Sequence, residues 1–135
     1  MKYGKTLCVI LCLLLLLTGC AGMGDWTYEL PGNVQIMRIH AGNIVLDGED
    51  GRLVESFVNK ISCTESHIFV QQTDEPPKEE NSGQEVRYYI VFTHDGTVEG
   101  PMTQVEFVDA AAAILPDTQI LWYSTTDGSL MELKK

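Results

Sequence analysis

The chain has 135 residues, of which 44% are hydrophobic and 21% are charged, and nine Lys and Arg against nineteen Asp and Glu give it a formal net charge of -10. This length suits one domain and this composition is that of a globular protein, which excludes a multidomain assembly, a disordered chain and a polytopic membrane protein. Because so acidic a chain lacks the cationic surface that neutralises phosphates, we expect no nucleic-acid partner.

Residues 1–19 have the three parts of a secretory signal peptide. Lys2 and Lys5 form a charged start, an unbroken apolar run follows over 7–17, and small residues precede a cleavage site after Gly19. The eleven residues of the apolar run are too few to span a bilayer as a helix. The pattern therefore predicts export of the chain.

The signal ends in a motif that contains Cys20. The run Leu17-Thr18-Gly19-Cys20, followed by two small residues, resembles the lipobox of bacterial lipoprotein precursors. The resemblance implies that a lipid such as palmitate is attached to the Cys20 thiol and that cleavage leaves Cys20 as the acylated first residue. The alternative is an ordinary signal peptide with a chance cysteine.

Cleavage before Cys20 changes the charge and the thiol count. Residues 20–135 keep seven basic and nineteen acidic side chains, a net charge of -12, so acyl chains and not charge must hold the protein on a membrane. Two of the four cysteines leave with the signal and Cys20 takes the lipid, so Cys63 has no disulfide partner in the chain. In an exported protein a lone thiol suggests either burial or a disulfide with another chain, and the neighbours Ile61 and Ile68 favour burial.

A short lipidated tether over 20–24 leads into a single domain over 25–135. Trp26, Tyr28 and Leu30 alternate with polar residues, a period of two that predicts a half-buried strand. The tether is too short to carry this strand far from the membrane.

Short strands and turns make up the middle of the chain. Residues 73–85 are polar and predict a mobile acidic loop. The pair Asp95-Gly96 predicts a hairpin with a type I′ turn. Runs of β-branched and aromatic residues predict strands over 34–39, 44–46, 53–63, 67–72, 86–93 and 97–100.

One segment has helical periodicity. Thr103 and Glu106 have the spacing of a capping box, and a proline follows the segment, so we predict a helix over 104–115. Apolar residues recur at helical intervals within it, at Val105, Val108, Ala112 and Leu115.

After the helix, strands over 119–123 and 130–133 are predicted to complete the chain.

The order of these elements predicts an α+β fold, in which a small, mainly antiparallel β-sheet packs against one α-helix in the C-terminal third of the chain. The connections between strands are too brief for parallel crossovers, which favours antiparallel pairing. No internal repeat is visible in the sequence.

Asp47, Glu49, Asp50 and Glu55 crowd a Gly-rich segment and raise the possibility of a calcium loop. The EF-hand pattern needs an oxygen ligand at loop position five and Gly at position six, whereas counting from Asp47 gives Gly and Arg there. A solvated hairpin turn accounts for the same residues, because Gly and Asp favour turns.

Cys63 and His67 can be drawn as a nucleophile and its base, but adjacency in sequence does not establish that the two side chains meet. The histidines His40, His67 and His94 have no Cys or carboxylate neighbours at zinc-ligand spacing. No nucleophile elbow and no phosphate-binding Gly loop accompanies them. The sequence therefore predicts no enzyme activity, no cofactor and no metal site.

Aromatic residues are numerous enough to suggest a stacking surface for sugars or peptides. A domain of this size needs large aromatic side chains for its core, so we expect most of them to be buried. Neighbours in a strand point to opposite faces, which leaves one member of each adjacent pair open to exposure. The residues concerned are Trp26, Tyr28, Tyr88, Tyr89, Phe92, Trp122 and Tyr123.

Two stretches of the chain together resemble a family of small bacterial lipoproteins of unknown function. The first is Gly-Cys-Ala-Gly-Met-Gly-Asp-Trp-Thr-Tyr-Glu-Leu-Pro-Gly over 19–32, and the second is Tyr-Tyr-Ile-Val-Phe over 88–92 with its Asp-Gly turn and Gly-Pro-Met-Thr-Gln over 100–104. The resemblance implies anchoring at Cys20 and brings no activity, cofactor or catalytic residue.

Two hypotheses for function follow from the sequence. The first is a non-catalytic binding or accessory protein of the cell envelope, anchored by lipid on the extracytoplasmic side of a bacterial membrane and acting on an envelope protein or the cell wall. The alternative is a small envelope hydrolase with active residues among Cys63, the histidines and the carboxylates. The first hypothesis is favoured because no residue spacing in the sequence indicates a catalytic nucleophile or a metal site with a supporting group beside it.

Overall fold

The computed structural model describes residues 24–40, 42–76 and 83–134. Within them the chain forms two antiparallel sheets, one α-helix and one 3₁₀ helix. The predicted signal peptide, Cys20 and the tether up to residue 23 lie outside the described residues, as do residues 77–82 of the predicted loop over 73–85.

The first sheet is a four-stranded meander in which each strand pairs with the next. Its inner face carries apolar residues such as Leu30, Ile36 and Leu46, while Thr27 and Glu29 of the first strand are exposed. This alternation confirms the first predicted strand, which ends at Leu30. The strands are β1 (Trp26–Leu30), β2 (Val34–His40), β3 (Asn43–Gly48) and β4 (Gly51–Val54).

The second sheet has five strands, all antiparallel. Both of its faces are covered, because Ile68 and Val70 of one strand pack in the core against the first sheet while Phe69 between them packs against the helix side. The strands are β5 (Val58–Cys63), β6 (His67–Thr73), β7 (Val86–Phe92), β8 (Val98–Met102) and β9 (Tyr123–Ser124). They pair in the order β8-β7-β6-β5-β9.

The molecule is therefore built in three layers: first sheet, second sheet and helix. The predicted α+β class with mainly antiparallel strands and one packed α-helix is confirmed, with the strands divided between two sheets.

The division into two sheets explains one wrong boundary. Residues 53–63, predicted as one strand, form β4 and β5, and the chain crosses from the first sheet to the second at 55–57. The side-chain amide of Gln72 donates hydrogen bonds to the carbonyls of Glu55 and Ser56 at 2.8 and 2.9 Å. These bonds satisfy two carbonyls that leave the sheet ladder at the crossing.

The α-helix, α1 (Gln104–Ile114), begins with the predicted capping box. The Thr103 backbone N–H donates to Glu106 Oε2 at 2.8 Å, and the Glu106 backbone N–H donates to Thr103 Oγ1 at 3.4 Å. The helix buries Phe107 and Ala111 against the second sheet. The apolar stripe that indicated the helix lies on another face, and its first member, Val105, is 73% exposed.

The predicted strand over 130–133 was wrong, because these residues belong to a 3₁₀ helix, Ser129–Lys134. Hydrogen bonds at its first residue, Ser129, explain the turn into this helix. Ser129 Oγ accepts from the Ser124 backbone N–H at 2.7 Å, and Asp127 Oδ1 accepts from the Ser129 backbone N–H at 2.9 Å. Such local bonds compete with strand pairing.

Two further expectations were wrong in detail. Of the predicted strand over 119–123 only Tyr123 pairs, because Ile120 and Trp122 pack in the helix layer. The β7–β8 hairpin has a longer loop than a type I′ turn, and Gly96 takes a φ of 72° while Asp95 before it has no positive φ. A longer loop needs only one left-handed residue.

Candidate functional site

The structure separates Cys63 from His67. Cys63 in β5 pairs with Ile68 in β6, so His67, one position away, lies on the opposite face of the sheet. His67 packs against Phe92 with ring centroids 4.9 Å apart, whereas Cys63 packs between the two sheets. Burial raises the pKa of the Cys63 thiol to about 12, so the thiol is protonated at neutral pH. The two residues do not form a nucleophile and its base.

The carboxylates of the suggested calcium loop lie around the β3–β4 turn. Asp47 and Glu55 both pair with Arg52, and Glu49 and Asp50 are exposed at the tip. Across the described residues, no group of three or more His, Cys, Asp or Glu side chains has an arrangement that could hold a metal ion. The structure thus shows a charged hairpin turn at this place.

The aromatic residues divide between the two cores. Tyr88 stacks on Phe107 of the helix with centroids 4.7 Å apart, while Tyr89 points to the other face and donates its hydroxyl to Gln72 Oε1 at 2.9 Å. Trp122 and Tyr123 are divided in the same way. The prediction that adjacent aromatics point to opposite faces is confirmed, and all seven aromatic side chains are buried or half-buried.

A groove of about 460 Å³ lies between α1 and the segment 117–122 that follows it. Val105 and Val108 on the outer face of the helix are 73% and 55% exposed, and Leu121, between the lining residues Ile120 and Trp122, is 65% exposed. We call this surface the helix-side groove. Its apolar lining is Phe107, Val108, Ala111, Ala112, Leu115, Ile120 and Trp122.

Negative charge surrounds the helix-side groove. Asp117 lines it, and Glu106 and Asp109 are exposed on the helix. Residues 88–133, which include the whole groove, contain seven Asp and Glu and not one Lys or Arg. The groove therefore combines an apolar floor with an acidic surround.

A second concavity, of about 520 Å³, lies at one edge of the space between the sheets. The rings of Trp26 and Tyr28 line it in an edge-to-face arrangement with centroids 5.1 Å apart, and Arg38, opposite Trp26 in the β1–β2 ladder, lines it too. Its other apolar lining residues are Ile44, Pro76, Leu130 and Met131. We call it the arginine cleft.

Sequence reasoning did not single out Arg38. Arg38 shares a strand face with Val34 and Ile36, both of which are core residues. A charged residue in the apolar register of a strand is the signal that could have identified it. Met37 and Ile39, on either side of Arg38, are also apolar, so the sequence here does not show a clear alternation of apolar and polar residues.

Comparison with protein-family models, with curated proteins and with solved structures finds no match for this chain. No helix within the described ranges is long and apolar enough to cross a membrane. The geometry of the groove and the cleft therefore carries the functional argument.

Proposed function

We propose that the protein is a non-catalytic accessory protein of the bacterial cell envelope, anchored by lipid at Cys20, whose helix-side groove binds a basic amphipathic segment of an envelope protein. The observation that carries this proposal is the exposed apolar stripe of α1 beside the groove. Anchoring rests on the lipobox resemblance, which the sequence alone supports.

The exposed side chains are grouped. Four large apolar side chains are exposed in the part of the chain that the structure describes. Val108 lines the helix-side groove, Val105 precedes it by three residues on α1, and Leu121 stands between the lining residues Ile120 and Trp122. Scattered exposed apolar residues are normal, but a contiguous group marks an interaction site. Burying each valine on binding contributes about 1.5–3 kcal/mol.

Charge selects the partner. An acidic surround favours a segment with Lys and Arg beside its apolar residues, and it raises the rate of encounter with a basic protein. A second copy of this chain would bring the same acidic surround, including Glu106 and Asp109, and would be repelled. The alternative of a hydrolase has less support, because the Cys63 thiol is protonated and His67 lies on the opposite face of the sheet.

The test uses the full-length chain in detergent and a synthetic peptide with leucines on one helical face and lysines on the other. The double variant Val105→Asn, Val108→Asn should weaken binding by about tenfold or more, since two buried valines are lost. Thr27→Asn, an exposed substitution on the first sheet, is the matched control and should leave the affinity unchanged. Binding should also weaken as salt is raised.

Crosslinking in cells tests the same site on its natural partner. A protein captured by the full-length chain at low salt should be lost in the Val105→Asn, Val108→Asn variant and kept in Thr27→Asn. The proposal is overturned if the peptide binds both variants equally, or if hydrolytic activity is found that Cys63→Ala or His67→Ala abolishes.

A further inference from the structure

We infer that the arginine cleft binds a small ligand in which a carboxylate stands beside an apolar group, such as the C-terminal end of a peptide, with Arg38 as the anion-binding residue. This inference is independent of the helix-side groove, because the cleft is formed by other elements. The groove lies in the helix layer, whereas the cleft is lined by strands of the first sheet and by residues 125–131.

The pairing of the arginines supports the inference. Arg52 pairs with Asp47, and Arg87 pairs with Glu85 at 3.0 Å, but within the described residues no carboxylate pairs with Arg38. The chain has nineteen acidic residues, yet none of the described residues that line the cleft is acidic. Arg38 is half-buried and pairs with no carboxylate of the described residues, which favours an anionic ligand.

The walls of the cleft define the rest of the ligand. Trp26 and Tyr28 supply aromatic surface, while Ile44 and Leu130 are buried apolar residues beside the opening. A volume of about 520 Å³ is within the range of small-molecule sites. These contacts suit a compact apolar group next to the anion.

The segment that closes the cleft is held in place before any ligand arrives. Thr125 is buried, and its hydroxyl lies 3.1 Å from the carbonyl of Val58 and 2.9 Å from that of Asn59 in β5. The Thr125 backbone N–H also donates to the Asn59 carbonyl at 2.9 Å. A wall fixed in this way lowers the cost of ordering the site on binding.

The number of charges favours a carboxylate over a phosphate. Arg38 is the only Lys or Arg among the described residues that line the cleft. One guanidinium matches the two oxygens of a carboxylate in a bidentate pair. A phosphate monoester carries close to two negative charges at neutral pH, and one guanidinium balances only one of them. The chain has a net charge of -10 and repels the remaining negative charge of the phosphate.

Binding is measured by calorimetry on the full-length chain in detergent, with N-acetyl-leucine as the probe and N-acetyl-leucinamide as its uncharged match. Saturable binding of the acid, at least about tenfold tighter than that of the amide, is the expected result. Tryptophan fluorescence in a Trp122→Phe background, where Trp26 is the remaining indole, should change with the acid alone.

Three variants locate the anion site. Arg38→Gln should weaken binding of the acid to the level of the amide, and Arg38→Lys, which keeps the charge without the planar fork, should give an intermediate affinity. Arg87→Gln removes an arginine on the second sheet and should bind as the unaltered chain does. Circular dichroism confirms that each variant is folded.

The inference is overturned if acid and amide bind equally or not at all to the unaltered chain, or if Arg87→Gln weakens binding as much as Arg38→Gln. Tighter binding of isoamyl phosphate than of N-acetyl-leucine would assign the cleft to phosphate esters and overturn it. Tighter binding of glucuronate would assign it to acidic sugars, which lack the apolar group, and would overturn it too. Loss of peptide binding at the helix-side groove would leave these results unchanged.

Discussion

At the scale of the residue, the environment of Cys63 decides what the single thiol of the described chain can do. Its side chain packs with the residues that join the two sheets, and burial raises its pKa to about 12. A thiolate is the reactive form, so this cysteine is a structural residue at neutral pH.

The raised pKa predicts a dependence of stability on pH. The folded state holds the Cys63 proton more tightly than the unfolded state, so this contribution to stability is present below about pH 9 and is lost as the pH rises toward 12. Urea unfolding between pH 8 and pH 11 should show a steeper loss of stability in the unaltered chain than in Cys63→Ala. Equal slopes would contradict the raised pKa of the thiol.

At the scale of the element, the β1–β2 turn packs against the β7–β8 loop through Gly32. A Cβ on Gly32 would lie 2.4 Å from the carbonyl oxygen of Thr93 and 2.8 Å from its Cα. Thr93 is held in place, because its hydroxyl donates to the Glu65 carbonyl at 2.7 Å and its backbone N–H donates to the Ser66 carbonyl at 3.0 Å. No side chain fits between the two loops.

A matched pair of substitutions tests this packing. Gly32 and Gly96 have nearly the same φ, 76° and 72°, but a Cβ on Gly96 would meet nothing within 4 Å. Gly96→Ala should therefore lower the free energy of unfolding by only about 1–2 kcal/mol, which is the cost of an alanine in the left-handed conformation. Gly32→Ala should lower the free energy of unfolding by about 1–3 kcal/mol more than Gly96→Ala does, because its Cβ overpacks the contact between the two loops. Urea unfolding measures both, and equal losses would show that the two loops separate freely.

At the scale of the whole molecule, the two candidate sites lie on different layers and can be occupied together. The helix-side groove is on the outside of the second sheet, and the arginine cleft is at the edge of the first sheet near the start of the domain. Trp26 follows Cys20 by six residues, so a lipid on Cys20 places the cleft within about 20 Å of the membrane.

Anchoring at Cys20 is tested directly by mass spectrometry of the membrane fraction. We expect an N-terminal peptide that starts at Cys20 and carries acyl chains, and we expect Cys20→Ala to lose the acylated species. An unmodified peptide that spans Gly19 and Cys20 as the main species would contradict lipid attachment. Binding measurements at the groove and at the cleft do not depend on this result.

Local interactions explain which parts of the fold could be predicted from the sequence. The strand over 26–30 follows from alternation within five residues, and the start of α1 follows from Thr103 and Glu106, which bond to each other across one helical turn. The strand predicted over 130–133 was wrong because Ser129 and its neighbours form side-chain bonds that apolar periodicity does not report.

The candidate sites depend on contacts between residues far apart in the chain. The sequence by itself determined the acidic charge, the presence of a capped helix and the predicted lipid signal, because each is a property of composition or of a short segment. Only the tertiary structure decided that α1 buries Phe107 and leaves Val105 and Val108 exposed, and that Arg38 stands in a cleft whose described lining has no carboxylate. The reason is physical: which face of an element is covered depends on the other layers that pack against it.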